Sequence, residues 1–208
     1  MEVVPRHIFI KSSRISWECV EDKLEYVYSY NKAMGSSKHS NESAPERIGA
    51  QLSLVKIETG ATVLMVGGKG GYINSLVAQL VGINGRVITV SANREILTEC
   101  KARVDLHSPF KHTMEWKKVP NLDDIDNVHD IMDAEIKSIH AIIFCGATNT
   151  LPTRLAKLLS PTGGAIIAPV ITGPRKQQLQ LFIQSADGLQ EIRHITEFGV
   201  IFGEVKDM

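Results

Sequence analysis

The chain has 208 residues, of which 43% are hydrophobic and 22% are charged, values typical of a single globular domain of ordinary size. Lys and Arg together number 23, and so do Asp and Glu. The resulting formal net charge of zero gives no electrostatic reason to expect a nucleic acid or an anionic membrane as partner. The three cysteines are widely spaced without a CxxC pair, and no histidines show HExxH spacing, so neither a disulfide framework nor a metal site is predicted. The sequence has no apolar run long enough to cross a membrane and no signal-peptide core, so we expect a cytoplasmic protein.

The N-terminal part of the chain combines an apolar start, an aromatic segment and a polar tract. Pro5 disfavours a helix at the residue before it. Tyrosines alternate over residues 26–30, which fits an edge strand or an extended arm that either packs onto the main sheet or lines a substrate groove. Residues 31–45 are the most polar tract and are predicted to form a loop. A helix is predicted over Glu46–Ile57, with Ser43 as its candidate N-cap.

A strand, a glycine-rich turn, a helix and a second strand follow one another closely. The apolar, β-branched run Ala61–Val66 predicts a strand buried on both faces. After the turn Gly67–Gly71, apolar residues at three- and four-residue spacing predict a helix over Ile73–Val81, and Arg86–Val90 is the second strand. In such a βαβ unit, the N–H groups at the start of the helix face a ligand's polar groups. The alternative is that the glycines only permit the sharp reversal of the chain.

The rest of the chain continues this alternation and then ends in a hairpin. Residues 120–133 are acidic but lack ligand spacing, so we interpret them as a solvated loop and helix start rather than a metal site. The dipeptide Asp187-Gly188 is typical of a hairpin turn. The other predicted elements are a helix over 94–104, a strand over 111–119, a strand over 138–145, a polar loop over 146–150, a short helix over 151–159, and strands over 165–170, 178–185 and 189–202.

This order of elements predicts an α/β fold with a doubly wound, mostly parallel sheet and an antiparallel hairpin at its C-terminal end. The hairpin distinguishes between two families that share this doubly wound sheet. A nicotinamide-binding domain more often continues with βαβ units, whereas a methyltransferase sheet ends in an antiparallel strand.

Several short motifs, in this order and spacing, resemble the protein-L-isoaspartate (D-aspartate) O-methyltransferase family. The similarity runs from Val4 to about Val205, nearly the whole chain. The segment Val63–Tyr72 is similar to the family's VLxVGxGxGY pattern. The other matching segments are Val4–Phe9 (VPRHLF), Ser43–Pro45 (ISAP), Gly85–Val87, Leu158–Val170 (LKPGGRLVxPV), and a closing hairpin with Gln178, Asp187-Gly188 and Phe198–Phe202.

The resemblance implies a Rossmann-like domain that transfers a methyl group from S-adenosyl-L-methionine to the carboxylate of an isoaspartyl residue in a damaged protein or peptide. It implies one domain over residues 1–208, in which 1–57 form an N-terminal substrate or cap segment and 58–208 the core. Because an aspartyl or isoaspartyl carboxyl is already ionised near neutral pH, the reaction needs no strong general base. Positioning and exclusion of water would supply most of the catalysis.

The same resemblance implies the site residues. Ser43 would contact the acceptor carboxylate as a substrate-binding and catalytic residue, and His39 and Asn41 would assist in substrate binding. An exposed loop histidine is the alternative interpretation of His39. The implied cofactor-binding residues are Gly67, Gly68, Lys69, Gly70, Gly71, Tyr72, Ser91, Asn93, Asp123 and Gly146. For the aspartate that the family places near the adenine, Asp124 is the alternative to Asp123.

The sequence departs from the family's pattern at several of these positions. Met65 stands where the family usually has an acidic residue before the glycine turn. Ser91 stands where a carboxylate would bind the ribose hydroxyls, and a serine does this less well. Asn41 and Glu42 replace a Thr-Ile pair. Lys69 replaces the central glycine of the turn, where it either neutralises the cofactor's carboxylate or projects into the pocket and blocks it.

Three functional hypotheses follow from these observations. The first is an active isoaspartyl methyltransferase, favoured by the order of the motifs. The second is a catalytically degenerate relative that serves as a binding or structural subunit of a larger assembly, favoured by the joint departures at Met65, Lys69 and Ser91. The third is a methyltransferase with another substrate, because the polar loop 36–43 differs from the family's.

Overall fold

A computed structural model describes residues 4–9, 34–35, 41–120, 131, 136, 138–150, 153–161, 163–174, 176–185 and 187–195. Within these residues, seven strands form one sheet in the order β5-β4-β3-β6-β7-β8-β9, and a separate two-stranded ribbon pairs β1 with β2. The strands are β1 Met34–Gly35, β2 Asn41–Glu42, β3 Thr62–Val66, β4 Arg86–Ser91, β5 Met114–Lys118, β6 Ala141–Phe144, β7 Ala165–Gly173, β8 Lys176–Ser185 and β9 Gly188–Ile195. The helices are α1 Pro45–Val55, α2 Tyr72–Val81 and α3 Arg94–His107, with 3-10 helices at Arg6–Phe9, Lys111–Thr113 and Thr153–Leu158.

The sheet is parallel on one side and antiparallel on the other. Strands β5, β4, β3, β6 and β7 run parallel, whereas β8 pairs antiparallel to β7 and β9 antiparallel to β8. The chain leaves β3 toward β4 and β5 on one side, then returns to add β6 on the other side of β3. This change of direction creates a switch point at the carboxyl end of β3, where α/β sheets of this kind bind ligands. The predicted fold class is confirmed.

The core explains why β6 and all of β3 after Thr62 are apolar. Val63 and Met65 pack into one buried cluster with side chains from α1, α2 and α3. Leu64 and Val66 pack into a second cluster on the opposite face, together with Leu155. Successive side chains of a strand point to opposite faces, so a sheet covered on both faces needs apolar residues at each position.

The boundaries of several elements differ from the prediction. The strand predicted over 111–119 is wrong in its first part, because Lys111–Thr113 form a 3-10 helix before β5. The helix predicted over 151–159 is a 3-10 helix over Thr153–Leu158. The strand predicted over 138–145 is shorter, since Ile139 makes only an isolated bridge with Leu159. The polar tract 31–45 contributes β1 and β2 rather than being loop throughout.

Other predictions fall on residues outside the described set. These are the tyrosines of the 26–30 segment, His39, Asp123 and the end of the return strand after Ile195. The membrane prediction has a partial test: among the described residues, every helix is too short or too polar to span a bilayer.

Candidate functional site

Three loops meet at the carboxyl edge of the parallel strands, and backbone hydrogen bonds hold them in register. The N–H of Gly67 donates to the carbonyl of Val90 at 2.8 Å, and the N–H of Cys145 donates to the carbonyl of Val66 at 2.9 Å. The N–H of Val119 donates to the carbonyl of Ser91 at 3.0 Å. The glycine turn, the end of β4 and the loop after β6 are therefore neighbours, as parallel strands require.

The glycine turn between β3 and α2 is shaped by backbone conformation and by close packing. Gly67 and Gly71 have φ of +89° and +97°, which L side chains rarely adopt. A Cβ on Gly71 would lie 2.9 Å from Val104 Cγ2 and 3.3 Å from the Cys100 carbonyl of α3, and a Cβ on Gly68 would lie 3.0 Å from Ile96. Part of the glycine requirement is thus structural, because α3 lies directly against the turn.

Among the described residues, no side chain caps the N-terminus of α2. Gly71 is its N-cap residue and makes no side-chain capping hydrogen bond. The first N–H groups of a helix have no partner within the helix, and an uncapped N-terminus presents them, with its partial positive charge, to polar groups of a ligand.

Lys69 turns its side chain toward the N-terminal segment. Its Nζ donates a hydrogen bond to the Ser43 hydroxyl oxygen at 2.8 Å, and the two residues are only 5% and 8% exposed. Arg6, which is fully buried, donates from Nη2 to the Ser43 carbonyl at 3.0 Å. Two buried cationic side chains therefore converge on Ser43 from different parts of the chain.

The prediction that Ser43 caps α1 is wrong. The N-cap residue is Ala44, which makes no side-chain cap, and Pro45 occupies the first turn. The Ser43 hydroxyl accepts from Lys69 instead, so it faces the glycine turn rather than the helix. Its predicted role at the acceptor carboxylate stays a prediction.

Ser91 and Asn93 form a local turn at the end of β4. Ser91 is fully buried, and its hydroxyl accepts a hydrogen bond from the Asn93 N–H at 3.0 Å. The Asn93 side-chain oxygen accepts from the N–H groups of Glu95 at 3.0 Å and Ile96 at 3.2 Å, which caps α3. Asn93 thus has a structural role that the sequence analysis did not assign to it, alongside its predicted place near the cofactor.

Three further predicted site residues lie within the described part of the chain. Tyr72 opens α2, and its ring lies 5.9 Å from that of Phe9 between centroids. Gly146 is buried in the loop after β6. Asn41 lies in β2, two residues before Ser43 in the chain.

Two residues at this edge were not predicted as site residues. Gln51 of α1 donates from its side chain to the Phe144 carbonyl at the end of β6, at 3.3 Å. Arg6 belongs to the VPRH motif, and a charged residue within this apolar, motif-matching segment was the sequence signal that could have identified it. Arg47, in the first turn of α1, is also buried. Burial lowers the pKa of its guanidinium, and the neighbouring Glu46 carboxylate partly opposes that shift.

Two cavities lined by described residues lie at the opposite, amino edge of the sheet. One of about 710 Å³ is bounded by the end of α1, the start of β3 and the start of β7. The other, of about 530 Å³, contacts the starts of β3 and β4. His140 contacts both cavities. Among the described residues, no three His, Cys, Asp or Glu side chains are grouped as a metal site would require.

Comparison with known sequences gives two curated relatives, both protein-L-isoaspartate O-methyltransferases from archaea. The chain is 31% identical over 97 residues to that of Methanococcoides burtonii and 31% identical over 98 residues to that of Methanococcus maripaludis. Each alignment covers 47% of this chain, and 43% and 42% of the respective relative. The matched region thus spans less than half the length of these relatives.

Comparison with solved structures extends the similarity in fold to the whole chain. A Plasmodium falciparum structure, assigned provisionally as a protein-L-isoaspartate O-methyltransferase and solved with S-adenosyl-L-homocysteine, superposes with a TM-score of 0.75 at 19% identity. That match covers 100% of this chain and 88% of the other. A second protein-L-isoaspartate O-methyltransferase structure gives 0.69 at 22% identity and covers 96% of this chain and 60% of the other. At these identities the structures establish the fold.

The family model for protein-L-isoaspartate(D-aspartate) O-methyltransferase matches residues 1–203. That range includes the N-terminal segment with Arg6 and Ser43, the glycine turn with Lys69, and the C-terminal hairpin of the sheet. The chain therefore belongs to the protein-L-isoaspartate(D-aspartate) O-methyltransferase family.

Proposed function

We propose that this protein is an S-adenosyl-L-methionine-dependent O-methyltransferase that methylates the carboxylate of isoaspartyl residues in damaged proteins or peptides. One observation carries the proposal: the Ser43 hydroxyl lies 2.8 Å from Lys69 Nζ. The segment that the family resemblance assigns to the acceptor carboxylate therefore meets the turn that it assigns to the methyl donor. Family membership over residues 1–203 supports the same activity.

At the carboxyl edge, the backbone fits an adenosyl cofactor, whereas the side chains fit it less well. The uncapped start of α2 and the glycine turn would supply N–H groups to the cofactor's polar atoms, and Gly146 would border it from β6. Ser91 would meet the ribose hydroxyls without a charge-assisted bond, because it is not a carboxylate. When bound, S-adenosyl-L-methionine supplies a sulfonium methyl that a carboxylate oxygen takes, leaving a neutral methyl ester and a neutral thioether.

The chain's own residues would act by positioning. Because the acceptor carboxylate is ionised near neutral pH, none of these side chains has to remove a proton from it. Ser43 would hold one carboxylate oxygen through its hydroxyl hydrogen. The burial of Ser43, Lys69 and the whole Gly67–Gly71 turn would exclude water from the reacting atoms. The wide spacing of the three cysteines, without a CxxC pair, supports a reducing, cytoplasmic location.

A specific observation favours a second candidate, a member that has lost catalysis and serves as a binding or structural subunit of an assembly. Lys69, which replaces a glycine of the resembled motif, is buried within the turn and bonds to Ser43. Ser91 is committed to the local turn with Asn93. Both features fit a cofactor site that has been lost, because Lys69 would fill the site and the Ser91 hydroxyl would not be available to the ribose. The third candidate, another methyl acceptor, depends on loop 36–43, of which residues 36–40 lie outside the described residues.

A titration followed by an assay separates these candidates. Calorimetric titration with S-adenosyl-L-methionine and with S-adenosyl-L-homocysteine should show binding of both. Methyl transfer to a peptide containing isoaspartate should then exceed transfer to the same peptide containing aspartate. No binding at millimolar ligand would reject both enzyme candidates. Binding without isoaspartyl preference would favour the third candidate over the first.

A further inference from the structure

We propose that Lys69 binds the methyl-acceptor carboxylate of the substrate, with Ser43 as its hydrogen-bonding partner and Arg6 holding Ser43 in place. The inference rests on the proposed function, because it names how that activity recognises its acceptor. The ligand class is a single carboxylate carried by a peptide.

The geometry places a positive charge where the acceptor would lie. Lys69 Nζ is 2.8 Å from the Ser43 hydroxyl oxygen, and Lys69 is 5% exposed. Its flexible stem spans from the turn after β3 to the segment before α1, 26 residues away in the chain. Arg6 fixes the backbone of Ser43 from the other side through its 3.0 Å hydrogen bond to the Ser43 carbonyl. Ser43 is thus held by two cationic residues, Arg6 at its backbone carbonyl and Lys69 at its hydroxyl.

The chemistry of these groups selects an anion. A hydroxyl that accepts a hydrogen bond from an ammonium keeps its own hydrogen, which can turn toward a carboxylate oxygen. The ammonium attracts the same carboxylate through its charge, and this attraction is stronger in a buried site than in water. A neutral acceptor, such as a primary amide of the same shape, gains nothing from the charge. Lys69 should therefore select the ionised acid over neutral analogues.

The charge of Lys69 should act on binding more than on the chemical step. Methyl transfer from a sulfonium to a carboxylate removes both charges, so the acceptor is less negative in the transition state than in the bound substrate. An interaction that is stronger in the ground state lowers KM without raising kcat. The neutral ester product is held less tightly by the ammonium, which favours its release.

The test compares wild type with Lys69→Met, which keeps the length of the stem and removes the charge. Each protein, saturated with S-adenosyl-L-homocysteine, is titrated with an isoaspartyl peptide and with the same peptide whose acceptor carboxylate is a primary amide. Wild type should prefer the acid by about 10- to 100-fold in Kd, the range of a charge-assisted contact, and Lys69→Met should bring that preference close to unity. In turnover assays, the variant should raise KM for the acid peptide by a similar factor while kcat is unchanged or higher.

The control is Lys101→Met, which removes an exposed lysine of α3 that is ion-paired with Asp105 on the helix surface and should leave both Kd values unchanged. If circular dichroism shows that Lys69→Met does not fold, Lys69→Gly, which restores the residue of the resembled motif, replaces it.

The outcomes separate the inference from the proposed function. A Lys69→Met protein that keeps the acid preference and the KM of wild type overturns the inference and leaves the proposed function standing. Wild type that binds S-adenosyl-L-homocysteine but shows no preference for the acid also overturns the inference. Wild type that binds neither S-adenosyl-L-homocysteine nor S-adenosyl-L-methionine overturns the proposed function, and the inference falls with it.

Discussion

The two edges of the sheet differ in what the chain places there. At the carboxyl edge, the loops after β3, β4 and β6 are tied together by backbone hydrogen bonds, and polar side chains such as Lys69 and Ser91 are buried among them. At the amino edge, cavities of about 710 and 530 Å³ are bounded by strand starts, and the exposed His140 contacts both. Among the described residues, these two cavities and the buried polar contacts therefore lie at opposite edges of the sheet.

The direction of the helices explains why the carboxyl edge is the better candidate. Helices α2 and α3 follow β3 and β4, so both begin at the carboxyl edge and end at the amino edge. Helix N-termini present N–H groups and partial positive charge, whereas C-termini present carbonyl groups and partial negative charge. An anionic or polar ligand is therefore favoured at the carboxyl edge. The comparison teaches that helix direction and buried polar contacts favour the carboxyl edge as the candidate site.

The largest expected effect tests how tightly the carboxyl edge is packed. Gly71 at that edge and Gly60 at the amino edge both have positive φ, of +97° and +84°. Of these two, only at Gly71 would an added Cβ meet other atoms within 4 Å. Gly71→Ala should lower the free energy of unfolding by about 2–4 kcal/mol, from backbone strain plus overpacking against α3. Gly60→Ala should lower it by about 1–2 kcal/mol, from strain alone. Urea denaturation measures both, and equal losses would show that α3 does not press on the turn.

A substitution at Ser91 tests whether the end of β4 contacts the ribose. Ser91→Asp should tighten binding of S-adenosyl-L-homocysteine by about tenfold, because a carboxylate accepts charge-assisted bonds from a diol. Calorimetry measures the Kd, and thermal unfolding checks that the buried carboxylate is tolerated. Unchanged affinity in a folded variant would place Ser91 away from the ribose.

Asn93 has a capping role at the carboxyl edge that can be separated from ligand binding. Asn93→Ala should lower the free energy of unfolding by about 1 kcal/mol, because the N–H groups of Glu95 and Ile96 lose their acceptor. Asn93→Asp, which keeps an acceptor oxygen at the cap, should retain the stability of wild type. Denaturant unfolding of the three proteins measures this, and a loss as large in Asn93→Asp would contradict the capping role.

The smallest expected effect lies at the amino edge. The Thr62 N–H donates to His140 Nδ1 at 3.0 Å on the exposed start of β3. His140→Ala should lower the free energy of unfolding by about 0.5 kcal/mol and leave the Kd for S-adenosyl-L-homocysteine unchanged, because one exposed hydrogen bond far from the carboxyl edge is lost. A clear change in that Kd would show that the amino edge also takes part in binding S-adenosyl-L-homocysteine.

Much of the fold could be predicted because its signals are local. An apolar run specifies a strand buried on both faces, as in Thr62–Val66, and three- and four-residue spacing specifies the buried face of α2. The dipeptide Asp187-Gly188 indicated the hairpin that joins β8 to β9. The 3-10 helices at Lys111–Thr113 and Thr153–Leu158 were missed, because segments of a few residues contain too little periodicity to separate them from strand or α-helix.

The sequence by itself determined the strands of the main sheet, the α-helices and the glycine turn, since each depends on neighbours in the chain, and the order of its motifs determined the family resemblance. The tertiary structure decided the partners of the buried polar groups. The Ser43 hydroxyl was predicted to cap the next helix, yet it accepts from Lys69, 26 residues away, and the Ser43 carbonyl accepts from Arg6, 37 residues away. A hydroxyl takes whichever partner the assembled segments bring within reach, and sheet topology, rather than local spacing, sets which segments meet.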